Sequence, residues 1–128
     1  MACKHSGLAV GTMLAVGLSI AALATQTATS QAGDMSSKDE IMAAVSDKTY
    51  QGSMLKDAFV EYYDPDGTIR GEGYSGKWRV EEGTMCFQYG DGAERCFAVE
   101  VNGPAMTMYK DGKVDGNGIL IEGNPNKF

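Results

Sequence analysis

The sequence predicts a mainly β protein: an antiparallel meander of seven to eight strands, closed as a small barrel or folded as a sandwich, with one short N-terminal helix. From residue 49 onward, runs of aromatic and β-branched residues are separated by turn residues at intervals of about ten positions. Helical spacing of apolar residues occurs only before that point. Two cysteines also stand at facing positions of one predicted hairpin. A sheet of this kind hides its edges by closing or by stacking.

The first 32 residues have the features of a signal peptide. Lys4 precedes a run of apolar and small residues at 8–24, and Ser30 and Ala32 fit the −3 and −1 positions of a signal-peptidase site. The alternative is an uncleaved membrane anchor, because the run is close to the shortest that spans a bilayer. The small polar segment after the run favours cleavage. We therefore expect one exported domain at residues 33–128, periplasmic or secreted, with no membrane insertion after cleavage.

Removal of the signal peptide limits the chemistry of the exported domain. The single histidine, His5, and Lys4 both lie in that peptide, so the formal net charge falls from −6 to −7 and no histidine remains. Histidine is the commonest general base and metal ligand, and nucleic acid requires a basic surface. We expect no enzyme, metal, cofactor or nucleic-acid partner. Carboxylates near Glu61 and Asp64 could in principle cleave glycosides, but acidic residues around a hairpin are more often a solvated rim.

One helix is predicted at residues 38–47. Ser37 and Glu40 form a capping-box pattern at its start. Ile41 and Val45 follow on one apolar face. Strands are predicted from about residue 49, separated by turns near residues 64–67, 74–76, 81–83, 90–92, 102–104 and 110–113.

The best-defined hairpin contains the two cysteines, in the segment TMCFQYGDGAERCFAVEV. A turn centred on Asp91 places Cys86 opposite Cys96 and Met85 opposite Phe97. The same register gathers apolar residues on one face and polar residues with both cysteines on the other, and a slip by one residue would lose both relations. An even pair of cysteines in a small exported domain indicates a disulfide, which we expect on the outer face. The alternatives are two free thiols or a redox-active pair, and the latter lacks the C-x-x-C spacing.

The segment DPDGTIRGEG, residues 64–73, has three interpretations: a calcium loop, a phosphate cradle or a tight turn. An EF-hand fails because Tyr62 and Gly73 occupy its first and last ligand positions, and a weak surface calcium site remains an alternative. A phosphate cradle fails because the segment leads into the strand-like KWRV rather than into a helix. Pro65 and Gly67 fit a type I turn with a bulge, so the segment predicts a hairpin.

The core of this segment occurs twice, as DGTIRGEG at residues 66–73 and as DGKVDGNG at residues 111–118. Two glycines in each copy are expected on the same face of the returning strand, where they leave a gap without side chains. The favoured interpretation is that a neighbouring aromatic side chain covers the gap, and the alternative is a groove for a ligand or partner backbone. The candidate binding surface comprises Gly71, Gly73, Gly116, Gly118, Tyr62, Tyr63, Tyr74, Trp78 and Tyr109.

Three resemblances accompany these motifs. MYKDGKVDGNG is similar to single units of the MORN-type repeat, and YYDPDGTIRGEGYSGKW matches more loosely; two distant copies form no array, so hairpin geometry alone is implied. Nearly the whole exported domain resembles a group of small exported bacterial proteins of unknown function that share EYY-x-x-DG-x-x-x-G, Y-x-G-x-W, CF-x-Y and GNP segments. This resemblance implies a secreted β-rich domain without catalytic residues. YSGKW, with Ser75 and Gly76, is similar to the Ser-Gly loop of periplasmic lysozyme inhibitors of the small β-barrel kind.

Together these observations favour an exported non-catalytic binding module for a protein or a small apolar ligand. The alternatives are an envelope structural or stress-related protein without a discrete ligand, and a lysozyme-inhibitor-like protein. The sequence leaves open the identity of the partner and whether the interior of the sheet is empty or filled.

Overall fold

The computed structural model describes residues 35–128, and the predicted signal peptide at residues 1–32 lies outside them. Eight antiparallel strands follow one helix, and β1 pairs with both β2 and β8, which closes the sheet into a barrel. The mainly β prediction is confirmed, and the barrel is the closure that forms. The elements are α1 (Lys38–Val45), β1 (Lys48–Met54), β2 (Asp57–Tyr63), β3 (Thr68–Gly71), β4 (Tyr74–Glu81), β5 (Thr84–Tyr89), β6 (Arg95–Asn102), β7 (Ala105–Lys110) and β8 (Lys113–Glu122).

Helix α1 begins at the predicted capping box. The Ser37 amide donates to Glu40 Oε2 at 2.7 Å, and the Glu40 amide donates to Ser37 Oγ at 3.3 Å. The helix ends at Val45 rather than at residue 47, because Ser46 is extended and Asp47 has a φ of +58°. No helix in the described part of the chain is long and apolar enough to cross a membrane.

The two ends of the barrel differ. Helix α1 packs against β1, β4 and β6 and buries Ile41 and Val45 in the core. It lies at the end where the β2–β3, β4–β5 and β6–β7 turns are found. The Ser36 amide before the helix donates to the Val99 carbonyl, and the Val99 amide donates to the carbonyl of Gly83 in the β4–β5 turn, both at 3.0 Å. We call this the helix-covered end. The opposite end, which carries the β1–β2, β3–β4, β5–β6 and β7–β8 turns, is called the open end.

The interior of the barrel is filled by side chains. Alternate residues of each strand point inward, as the two-residue period of a strand requires. The Tyr63 ring, for example, lies 5.9 Å from the Trp78 ring and 6.0 Å from the Phe87 ring. A ligand would therefore bind at the surface or at an end of the barrel. The largest fully buried side chains are Tyr50, Tyr63, Phe87, Ile41, Ile69, Met85, Met106, Met108, Val45 and Val99.

The cysteine hairpin has the predicted register. Cys86 pairs with Cys96 and Met85 pairs with Phe97, and the two sulfurs form a disulfide. Met85 and Phe97 point into the core, so the cysteines lie on the outer face. Cys86 is nevertheless only 1% exposed. Its neighbour across the β4–β5 pair is Arg79, which forms an ion pair with Glu94.

The first DG segment forms the predicted turn. Gly67 has a φ of +90°, its amide donates to the Asp64 carbonyl, and the Asp64 amide donates to the Thr68 carbonyl, both at 2.9 Å. The second DG segment is shorter: Asp111 and Gly112, with φ values of +50° and +74°, form a two-residue turn between paired Lys110 and Lys113. The two copies thus share a sequence but not a loop length.

The structure differs from the predicted turns at two places. The turn predicted at residues 74–76 is wrong, because these residues belong to β4 and the chain reverses before Tyr74, where Gly73 has a φ of +77°. Gly76 lies within the strand. The position requires glycine because a Cβ atom there would lie 2.7 Å from the Gln88 carbonyl oxygen. The β1–β2 turn at Leu55 and Lys56 was not predicted, since both residues have positive φ but neither is glycine or asparagine.

Candidate binding site at the rim of the barrel

Two of the predicted site residues, Trp78 and Tyr62, stabilise the helix-covered end of the barrel and do not contribute to a shared binding site. Trp78 is 6% exposed, and its indole N–H donates to the Asp64 carbonyl at 2.9 Å, which holds the β2–β3 turn. Tyr62 lies outside the barrel, where its hydroxyl donates to Asp47 Oδ1 at 2.8 Å. This bond to a carboxylate, followed by burial, raises the pKa of Tyr62 to about 12.

Tyr109 lies on the outer wall, away from the other predicted aromatic residues. Its hydroxyl donates to Glu100 Oε2 at 3.0 Å across the β6–β7 pair. The pKa of Tyr109 is raised by this bond to Glu100. Tyr109 is therefore held by a glutamate on the outer wall and does not join the other predicted site residues.

The predicted glycine gaps are covered by aromatic rings and backbone. A Cβ atom at Gly71 would collide with the ring of Tyr74, its partner across β3–β4. At Gly118 it would lie 2.7 Å from Cζ of Tyr50 and against the backbone of β1, and Gly116 also faces β1 backbone. Gly73 differs from the prediction, because it lies in the β3–β4 turn rather than on the strand face.

Beneath Tyr74 lies a buried carboxylate that the sequence analysis did not select as a site residue. Glu61 is 2% exposed and points into the barrel, as its cross-strand partner Tyr50 does. The Tyr74 hydroxyl donates to Glu61 Oε1 at 2.9 Å. The Tyr89 hydroxyl lies 2.8 Å from Oε1 and 2.9 Å from Oε2. Two tyrosines from β4 and β5 thus converge on one glutamate of β2.

A third tyrosine faces the same carboxylate. Tyr63 is fully buried, and its hydroxyl has no hydrogen-bond partner among the described residues. It is close enough to Glu61 to lower the pKa of that carboxyl. An unpaired buried hydroxyl costs free energy unless something completes its bonding. We call Glu61, Tyr63, Tyr74 and Tyr89 the tyrosine–glutamate cluster.

Burial dominates the protonation chemistry of this cluster. It raises the pKa of Glu61 above 4.5, and the hydroxyls of Tyr89, Tyr74 and Tyr63 lower it only in part. Burial, followed by the nearby Glu61 charge, raises the pKa of Tyr74 and of Tyr89. The tyrosines therefore stay protonated near neutral pH and act as hydrogen-bond donors. No lysine or arginine of the described residues forms an ion pair with Glu61.

A groove opens directly outside the cluster because β3 is shorter than β2. The two strands pair only at Tyr62–Arg70 and Tyr63–Ile69, so the earlier part of β2 projects beyond the β3–β4 turn. The resulting groove has a volume of about 690 Å³. We call it the rim notch, and its lining residues are Ala58, Phe59, Val60, Glu72, Tyr74, Asn126 and Phe128.

The segment after β8 supplies one wall of the rim notch. The Gly123 amide donates to the Asp47 carbonyl at 2.9 Å, and Thr49 Oγ1 donates to the Gly123 carbonyl at 2.6 Å. Asn124 then bonds to both the amide and the carbonyl of Phe128, at 3.1 and 2.9 Å. These bonds hold the Phe128 ring against the outer side of β2.

Phe59 and Tyr74 connect the rim notch with the interior. Phe59 packs at 5.2 Å from the Tyr50 ring. Tyr74 is 42% exposed although its hydroxyl reaches the buried Glu61. The Tyr74 side chain therefore reaches from the notch to the carboxyl group of Glu61.

A second depression, of about 430 Å³, lies at the open end. Tyr89 belongs to its lining, so the tyrosine–glutamate cluster separates it from the rim notch. Its lining is mostly apolar and includes one cation, Arg95, unlike the notch, whose one charged lining residue is the acidic Glu72. The lining residues of this second depression are Met54, Leu55, Phe87, Tyr89, Gly92, Ala93, Arg95 and Phe97.

Of the predicted aromatic residues, Tyr74 bonds to Glu61, and Tyr63 packs against Trp78 in the core. Tyr62 and Tyr109 lie on the outside of the barrel. Glu61 and Tyr89 were missed as site residues. A signal for Glu61 exists in the segment FVEYY, where strand alternation puts Glu61 in phase with the inward Phe59 and Tyr63. A charged residue in that phase indicates a buried ionisable group rather than a solvated rim. Phe128 has no comparable local signal, because only the fold of the terminal segment brings it to β2.

Two other sequence motifs have structural roles. Ser75 and Gly76 of YSGKW lie within β4, paired with Arg70 and Ile69, and so do not form a protruding loop. The carboxylates of the first DG turn are occupied: Asp64 accepts from the Asp66 amide and from Arg70, and Asp66 accepts from the Thr68 amide.

The described residues contain one group of metal-ligating types, Cys86, Glu94 and Cys96, whose candidate ligand atoms lie within 4.8 Å of one another. Both sulfurs belong to the disulfide. A thiolate is the form of cysteine that binds metals, so this group does not present a metal site in the oxidised protein.

Comparisons of the chain with protein-family models, with curated proteins and with solved structures found no match. The geometry of the rim notch and of the cluster beneath it is therefore the basis for assigning a function.

Proposed function

We propose that this protein is an exported, non-catalytic binding module that holds a small ligand with a largely apolar body in the rim notch. One observation carries the proposal: three aromatic residues, Phe59, Tyr74 and Phe128, line a groove at the place where the barrel wall is incomplete. Concave sites with aromatic walls and a few polar groups are typical of small-molecule binding. The outer wall continues the groove as a shallow apolar surface that includes Ile119, which is 49% exposed.

Three further observations support parts of this proposal. The Cys86–Cys96 disulfide is compatible with an oxidising compartment outside the cytoplasm, as the signal-like N-terminus predicts. The exported domain contains no histidine to act as a general base. The Glu61 oxygens accept hydrogen bonds from two tyrosines, which hold the carboxyl group beside the notch.

Binding of the uncharged probe N-phenyl-1-naphthylamine tests the proposal. We expect saturable fluorescence enhancement with the exported protein, and we expect Phe128→Ala and Tyr74→Ala each to weaken binding about fivefold or more. Tyr109→Ala is the matched control, because Tyr109 also bonds to a glutamate but lies outside the notch. Absence of saturable binding, or an equal loss in Tyr109→Ala, would reject the notch as the binding site.

Native mass spectrometry of protein isolated from a periplasmic extract provides the second measurement. We expect a retained small molecule in the wild type and its loss in Tyr74→Ala. Recovery of the protein in the cytoplasmic fraction, with both cysteines open to alkylation, would contradict the exported location.

A further inference from the structure

The charges around the rim notch indicate what kind of ligand it takes. Among the residues lining the notch, Glu72 is the one charged side chain, and it is acidic. The other major surfaces are aromatic rings, whose faces attract cations. The notch thus combines three rings with a carboxylate and presents no basic side chain to a ligand.

The tyrosine–glutamate cluster adds a second carboxyl group immediately behind the notch. Glu61 is almost fully buried, and none of the ion pairs formed by the described residues includes it. Buried charges in proteins are normally paired. Glu61 thus lies one side chain away from an open groove without a cationic partner among the described residues.

The Tyr63 hydroxyl gives independent support for a ligand at this place. It is fully buried and has no hydrogen-bond partner among the described residues. Glu61 already accepts from Tyr74 and Tyr89. If Tyr74 turned away, Glu61 would keep the Tyr89 donor and could accept from another donor in the place of the Tyr74 hydroxyl.

We propose that the ligand of the rim notch is a small organic amine, whose ammonium group takes the place of the Tyr74 hydroxyl at Glu61 while its apolar body lies against Phe59, Tyr74 and Phe128. This assignment rests on the proposed function. Tyr74 is 42% exposed and directly follows the turn residue Gly73, so its displacement would uncover the Glu61 oxygens. Glu72 lies on the same turn and contributes a second carboxylate at the entrance.

Three probes of equal chain length test the assignment by calorimetry: hexylammonium, hexan-1-ol and hexanoate. We expect hexylammonium to bind about tenfold more tightly than hexan-1-ol, and hexanoate to bind most weakly. Glu61→Gln should reduce the affinity for hexylammonium to that for hexan-1-ol and leave hexan-1-ol unchanged. Tyr74→Phe should not weaken hexylammonium binding, since it keeps the ring and removes the competing hydroxyl.

Glu100→Gln is the matched control, because Glu100 also accepts from a tyrosine but lies away from the notch. If Glu61→Gln does not fold, Glu72→Gln changes an exposed side chain and should lower hexylammonium affinity several-fold. Equal affinities for hexylammonium and hexan-1-ol, or an effect of Glu100→Gln equal to that of Glu61→Gln, would overturn the amine assignment. If none of the three probes binds but N-phenyl-1-naphthylamine does, the amine assignment alone is overturned. If N-phenyl-1-naphthylamine does not bind either, both proposals are overturned.

Discussion

At the scale of the residue, Glu61 is the most unusual feature of the protein. It occupies an inward position of β2, where the neighbouring inward side chains are aromatic. Its carboxylate is stabilised by tyrosine hydroxyls rather than by a cation. Burial disfavours the charged form of a carboxyl group, so this residue has an energetic cost in the folded protein near neutral pH.

The pH dependence of stability follows from the raised pKa of Glu61. A carboxyl whose pKa is higher in the folded state contributes stability below the unfolded value near 4.5 and loses it as the pH rises through the folded value. We expect the free energy of unfolding of Glu61→Gln, relative to wild type, to increase between about pH 4 and pH 8, by about 1.4 kcal/mol for each unit of pKa displacement. Urea unfolding across this range measures the difference.

Glu100→Gln again serves as the control for this prediction, because Glu100 also accepts from a tyrosine but lies on the outer wall. A constant difference between Glu61→Gln and wild type would show that the Glu61 carboxyl has the same pKa in both states. A difference that decreases as the pH rises would show that the folded pKa is lowered.

At the scale of the element, hairpins with a strong local signal form as predicted. Alternation and facing cysteines define the register of β5–β6, and Pro65 with Gly67 defines the β2–β3 turn. The β1–β2 turn lacks such a signal, because Leu55 and Lys56 adopt positive φ against their own preference. Pairing of β1 with β2 and β8 imposes that turn from outside.

The disulfide should stabilise the β5–β6 hairpin and with it the whole barrel. Simultaneous Cys86→Ser and Cys96→Ser should lower the free energy of unfolding by about 2.5 to 3 kcal/mol, because the bridge closes a short loop in the unfolded chain. Urea unfolding of wild type with and without reductant provides the comparison. The reduced wild type should match the double variant, and the variant itself should not respond to reductant; a reductant-insensitive wild type would contradict a stabilising bridge.

At the scale of the whole molecule, closure of the sheet and coverage of one end make a single core. The β1–β8 pair removes the sheet edges that an open meander would leave. Helix α1 then buries Ile41 and Val45 among the residues of the barrel core. The open end has no such cover among the described residues, and the second depression is found there.

Truncation of the helix should therefore affect the entire fold. Ile41→Ala is expected to lower the free energy of unfolding by about 2 to 4 kcal/mol, through lost burial and the cavity left behind. The transition should remain cooperative, as monitored by circular dichroism and tryptophan fluorescence of Trp78 together. Lys38→Ala, an exposed change on the same helix, should shift stability by less than about 0.5 kcal/mol. Equal effects of the two variants would show that α1 does not contribute to the core.

Local patterns determined much of this protein from the sequence alone. The capping box of α1, the cysteine register and the first DG turn are each specified by residues close together in the chain, and each is confirmed. For the same reason, β-branched and aromatic alternation was sufficient to predict an antiparallel meander. The signal peptide and the exported location remain predictions, because they concern residues 1–32 or the cell rather than the fold.

Only the tertiary structure decided between barrel and sandwich, and only it formed the candidate site. Closure depends on pairing between β1 and β8, which lie at opposite ends of the domain and have no local signal for each other. The site likewise joins Glu61 to Tyr89 and brings Phe128 to β2, contacts between residues far apart in sequence. Strand alternation could indicate that Glu61 points inward, but the tyrosines that meet it are set by the curvature and closure of the sheet.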